Sequence, residues 1–94
     1  MSKKQQFASV WDAIEDTPSA AENMKLRSTL MMTLKNHISS IGLSQVEAAK
    51  LLSVTQPRLS DLMRGKITLF TIDTLVNMAA AAGLNVEIFV RKAA

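Results

Sequence analysis

The 94-residue chain has no cysteine and no tyrosine, and only one histidine, one tryptophan, two prolines and three glycines. Without cysteine there are no disulfides and no thiolate metal sites, a usage that suits a reducing compartment. The single His37 has no carboxylate at i±3 or i±4. No nucleophile–base or metal-ligand constellation can be assembled around it, so neither catalysis nor a metal or other cofactor is expected. Gly42, Gly65 and Gly83 lie too far apart to form a phosphate-cradling loop. No apolar run approaches the roughly 20 residues of a membrane-spanning helix. The basic residues of Met1-Ser-Lys-Lys-Gln-Gln are not followed by the apolar stretch of a secretory signal. These absences lead to the expectation of a single modest domain, cytoplasmic and not an enzyme.

What the chain does have is aliphatic bulk. Hydrophobic residues make up 48% and aromatics 4%, so the core must be built from Leu, Ile, Val, Ala and Met. The net charge is +3, with a pI near 9.6, which permits a polyanionic partner without requiring one. The charge is unevenly spread. From Gln5 to Met24 every charged residue is acidic (Asp12, Glu15, Asp16 and Glu22), so the remainder carries +7. An acidic arm on a basic body suggests two binding surfaces, and the competing reading is an ordinary solvated helix face.

The chain is organised around Leu43 to Gly65. Ser44 is placed to cap a helix, with Glu47 completing a capping box, and Ala48, Ala49 and Leu52 give it an inward face. Ser53-Val54 is too short for a free loop. Thr55 can cap a second helix, Pro57 fits its first turn, and Gly65 supplies a left-handed C-terminal residue. Leu59, Leu62 and Met63 make the apolar side of this helix. Gln56, Pro57, Arg58, Ser60, Asp61 and Arg64 are left facing outward at a helix N-terminus, the arrangement of a helix-turn-helix recognition helix.

On either side the periodicity continues. Phe7, Val10, Trp11 and Ile14 fall at helical spacing, giving a short amphipathic helix in an arm over residues 1–18. Trp11 serves either to pack this arm on the body or to meet a partner. Ser19 and Glu22 predict the capped start of a long helix running to about Ser40, with Met24, Leu30, Met31, Leu34, Ile38 and Ile41 as its apolar stripe. Met31-Met32 reads as core filler, or else as an adaptable partner surface. Lys66 to Phe70 is a connector. Thr71 then caps a last helix, with Ile72, Leu75, Val76, Ala79 and Ala82 inward, and residues 19–83 form the central domain. From there the period becomes two: Leu84, Val86, Ile88 and Val90 alternate with Asn85, Glu87, Phe89 and Arg91, which predicts a strand within 84–94. No second strand is evident. Pairing with the same strand of a second copy, in a homodimer, is the simplest way to satisfy its backbone.

From Leu43 to Gly65 the sequence resembles the Xre/Cro-type helix-turn-helix: Ala49 stands at the family's small position, and Leu52, Val54, Leu59 and Leu62 at its apolar ones. Ser53 departs from the glycine usual in the turn. With Val10-Trp-Asp-Ala-Ile, Thr55-Gln-Pro-Arg-Leu-Ser-Asp-Leu-Met-Arg-Gly-Lys and Gly83-Leu-Asn-Val-Glu-Ile, the chain is also similar to Xre-type antitoxins of the HigA kind. The resemblance implies a mainly α, five-helix, lambda-repressor-like domain with a C-terminal β-strand paired across a homodimer. It implies an antitoxin that neutralises a small basic mRNA endonuclease of the HigB/RelE kind and represses its own operon, or a stand-alone dimeric regulator. Double-stranded DNA with a palindromic operator would be the partner in both cases.

On that basis Gln56, Arg58, Ser60 and Asp61 would contact bases, with Arg58 reading guanine and Gln56 adenine. Asp61 would accept from cytosine or orient Arg58 or Arg64. Gln45, Thr55, Arg64, Lys66 and Thr68 would contact phosphates. Trp11, Asp12, Glu15 and Asp16 would face the toxin. The competing interpretation of all these groups is ordinary surface polarity on a helical hairpin.

Overall fold

The computed structural model describes residues 17–92. Four α-helices follow one another: α1 Pro18–Ile41, α2 Gln45–Leu52, α3 Gln56–Met63 and α4 Ile72–Ala81, with one 3-10 turn, Ile67–Leu69, between α3 and α4. The expected helix around Phe7 to Ile14, and with it the fifth of the predicted helices, lies outside the described residues.

The expected start of α1 is corrected by two residues. Thr17, not Ser19, is its N-cap: the Thr17 hydroxyl accepts from the Ala20 N–H at 3.1 Å, and Pro18 is the first helical residue. Proline has no N–H to leave orphaned there and its fixed φ suits the position, so Thr17-Pro18 opens the helix. The other caps match expectation. In α2 the Ser44 hydroxyl accepts from the Glu47 N–H at 3.1 Å while the Glu47 carboxylate accepts from the Ser44 N–H at 3.0 Å. Thr55 caps α3 and Thr71 caps α4, each hydroxyl accepting from the N–H three residues on.

Helices α2, α3 and α4 all end in the same way. At the end of α2, Ser53 N–H donates to the Lys50 carbonyl and Val54 N–H reaches back to Ala49. In α3 the same two bonds run from Gly65 to Leu62 and from Lys66 to Asp61, and in α4 from Gly83 to Ala80 and from Leu84 to Ala79. This paired closure needs a left-handed residue before the last donor. Gly65 and Gly83 supply it at φ 73° and 83°, and Ser53 does so at φ 59°, the one non-glycine residue with positive φ among those described.

The core is a single cluster. Leu30, Met31, Leu34 and Ile38 of α1 meet Ala48, Ala49 and Leu52 of α2, Leu59 and Leu62 of α3, Phe70, and Leu75, Met78 and Ala79 of α4. The pair Ala48-Ala49 lets α2 lie close to its neighbours, and α1 spans the bundle to pack against α3, the 3-10 turn and α4. Two expectations about α1 are corrected. Ile41 is 42% exposed, because the helix outruns the core at its last turn, and the methionine pair divides, Met31 buried and Met32 59% exposed. Met78 joins the inner face of α4 although the sequence pattern did not single it out.

Residues 84–92 form no strand, and there is none elsewhere among the described residues. Leu84 and Val86 pack on the core, as the alternation requires, but Ile88 and Val90 stand 56% and 89% exposed and Phe89 90%. A strand is defined by its ladder, and one chain offers this segment no second backbone.

Ser53→Gly relieves roughly 1–2 kcal/mol of left-handed strain against roughly 0.5–1 kcal/mol of added chain entropy in the unfolded state. The difference is a gain of between about 0 and 1.5 kcal/mol, raising Tm by up to several degrees for a domain of this size. A lowered Tm would show that the turn is not strained.

Candidate nucleic-acid interface

The α2–turn–α3 unit presents one outer face. Capping fixes its geometry from within. The capping box occupies the backbone N–H groups of Ser44 and Glu47, which leaves those of Gln45 and Val46 in the first turn of α2 without an intrahelical partner. Gln45 itself is exposed. At the start of α3 the Thr55 hydroxyl accepts from the Arg58 N–H at 3.3 Å, and its own proton remains available to donate outward.

Along α3, Leu59 and Leu62 point into the core while Gln56 and Pro57 are exposed and Arg58, Ser60 and Asp61 are partly covered. Gln56 therefore extends from the helix N-terminus with its amide unobstructed. Arg58 is held differently. Its guanidinium carbon lies 4.2 Å from the centroid of the Phe70 ring, on a side chain that is wholly buried. Asp61 is paired with Lys66 at 3.6 Å; orienting Arg58 or Arg64 was one of its two expected roles, acceptance from cytosine the other. This partly exposed pair adds little stability. Its consequence is local, partly neutralising the carboxylate on α3.

Arg64, Lys66 and Thr68 are exposed at the far end of α3 and in the connector. A cation from another helix joins them. A Cβ at Gly65 would stand 3.8 Å from Lys35 Nζ, so the ammonium of this α1 residue lies beside the turn that carries Arg64 and Lys66. Lys35 was not among the expected contact residues, since thirty positions separate it from the turn. Arg27 was missed for the same reason: it bridges α1 to the connector, its Nη1 donating to the Phe70 carbonyl at 3.2 Å while Nε donates to Asn23 Oδ1 at 2.6 Å.

What this face offers chemically is forked and amide donors at a helix N-terminus, flanked by ammonium and guanidinium groups. Among the described residues no three His, Cys, Asp or Glu side chains come together to hold a metal ion, and no helix is long and apolar enough to cross a membrane. Trp11, Asp12, Glu15 and Asp16 lie outside the described residues.

The chain matches the model of the helix-turn-helix domain family over residues 13–91, which takes in both the bundle and the segment after α4. Among solved structures, it is similar to a protein described as an XRE-family transcriptional regulator. The identity is 33% and the TM-score 0.72, with 78% of this chain and 82% of that one covered. No curated protein matches it.

Gly65→Ala tests the turn that sets Arg64 and Lys66. The new Cβ meets only the far end of Lys35 at an ordinary contact distance, so backbone strain alone opposes it. A loss of about 1 kcal/mol is expected, the opposite sign to the gain at Ser53, and chemical denaturation measures it.

Proposed function

The chain belongs to the helix-turn-helix domain family, in its Xre-type form, and from that premise we propose that it is a sequence-specific DNA-binding transcription regulator acting as a homodimer. The outer face of α3 is the observation that carries the reading. Gln56 and Arg58 stand at the N-terminal end of a short capped helix, and Arg64, Lys66 and Lys35 surround its other end. Such a helix lies in a major groove with its N-terminal residues on base edges and phosphate-binding groups around it. Arg58 addresses guanine O6 and N7, Gln56 addresses adenine, and Ser60 and Asp61 lie further along the same groove. Gln45, Thr55, Arg64, Lys66, Thr68 and Lys35 contact phosphates and set the register of the protein on the duplex. Asp61 screens Lys66 in the free protein, and approach of a phosphate would draw the ammonium away from it.

One such module makes few base contacts, and two copies reading half-sites about one helical turn apart are the usual remedy. We assign the pairing to residues 84–90. The exposed Ile88, Phe89 and Val90 support it, because three consecutive large apolar residues left in water favour a partner. Leu84 and Val86 would anchor the paired segment to its own domain.

The acidic run of Asp12, Glu15, Asp16 and Glu22 favours a narrower reading, in which the protein is the antitoxin of a small basic mRNA endonuclease and represses the operon they share. The arm, with Trp11, would be the toxin-facing surface. Co-purification with the product of a neighbouring small basic reading frame, lost on deletion of residues 1–16, is the outcome this requires. A stand-alone regulator would have no such neighbour.

Arg58→Ala should reduce the preference for the operator over random DNA by about 1–3 kcal/mol. Equal weakening on both in a gel-shift assay would rule out the base-reading role. Ile88→Pro should keep the helical signal in circular dichroism while giving monomers with weak operator binding. A wild type that sediments as a monomer at micromolar concentration would remove the pairing.

A further inference from the structure

Arg58 does not project from α3 as a freely rotating side chain. Its guanidinium is stacked on Phe70, 4.2 Å from the ring centroid. The ring belongs to the connector into α4 and is completely buried against the core. That connector is itself tied down: the Phe70 N–H donates to the Ile67 carbonyl at 3.2 Å, closing the 3-10 turn, and its carbonyl accepts from Arg27 of α1. A flexible cation therefore rests on a platform fixed from two directions. Stacking engages the π-face of a guanidinium and leaves its N–H edge, the part that reads a guanine, outside the contact.

We infer that Phe70 is a positioning residue for sequence recognition: its ring holds the Arg58 guanidinium in one orientation before DNA arrives, so that less side-chain freedom is lost on binding. The inference rests on Arg58 reading a base, as proposed above. Phe70 contacts no DNA itself. Its effect falls on the ratio of specific to non-specific affinity, since phosphate contacts do not depend on where Arg58 points.

The test uses the whole 94-residue chain, the duplex that wild type selects from a pool of short random duplexes, and a scrambled duplex of equal composition. Phe70→Met keeps apolar volume and removes the ring. It should lower the selected-to-scrambled affinity ratio about three- to tenfold, the range expected for losing one partly solvated cation–π contact. Scrambled-duplex affinity should be unchanged. In an Arg58→Ala background, Phe70→Met should lower the ratio no further. Equal losses on both duplexes, an undiminished loss in the Arg58→Ala background, or a gain in the ratio would overturn the inference. Should Phe70→Met not fold, wild type alone decides: the Arg58 side-chain protons must show an upfield ring-current shift in NMR spectra of the free protein, and ordinary shifts would overturn it. If Arg58→Ala leaves the ratio intact, base reading and positioning fall together; if Arg58→Ala lowers it and Phe70→Met does not, positioning alone falls.

Discussion

The structure depends on a closure of two backbone hydrogen bonds between α2 and α3. Ser53 N–H to Lys50 and Val54 N–H to Ala49 hold the chain in a left-handed turn, and only a few residues separate the last residue of α2 from the cap of α3. The direction in which α3 leaves is thereby constrained by backbone geometry. Ala48 and Ala49 then allow the two helices to approach, and Leu52, Leu59 and Leu62 fill the space beneath them. With that angle fixed, the apolar side of α3 can be satisfied in one orientation, and its polar side is turned outward as a consequence. The recognition face is what remains of α3 once the core has taken its share.

The long α1 has the complementary role. It crosses the bundle, and through two cations it also reaches the outer face. Lys35 lies beside the Gly65 turn, and Arg27 holds the Phe70 carbonyl. On the proposed reading, packing and recognition meet at Phe70. Its ring is part of the core, its carbonyl anchors the connector to α1, and its exposed-side face bears Arg58. A substitution there would be read as a core defect by a stability assay and as a specificity defect by a binding assay, and only the two together separate the roles.

Much of this was legible in the sequence because it is local. The Ser44–Glu47 box, the Thr55 and Thr71 caps and the left-handed Ser53 each depend on residues at most five apart, so a short window contains both partners. The start of α1 is also local, but two signals compete there, and the preference of Pro18 for the first helical position prevails over the Ser19–Glu22 spacing. The stack of Arg58 on Phe70, the Arg27 bridge and the approach of Lys35 to Gly65 are different in kind. They join residues twelve, forty-three and thirty positions apart, and nothing in the spacing announces them, since they arise only when the helices are already placed. Asp61 illustrates the limit: its ion-pair partner in the fold is Lys66 of the connector, while Arg58 lies over Phe70.

The C-terminal segment separates two arguments that the sequence had merged. A strand without a neighbour was expected to need a partner for its backbone groups. That need is compelling only for buried groups, and after Leu84 N–H closes the end of α4 the segment is largely exposed, where water satisfies it. Backbone hydrogen bonding therefore does not by itself demand a second copy. The side chains make the stronger case. Leu84 and Val86 already have their place on the core, whereas Ile88, Phe89 and Val90 do not, and in a paired strand Ile88 and Val90 would share the face of Leu84 with Phe89 on the opposite one. A second copy laid alongside would cover the Ile88 and Val90 face and supply the ladder together, and the driving force would be apolar burial, with the hydrogen bonds fixing its register.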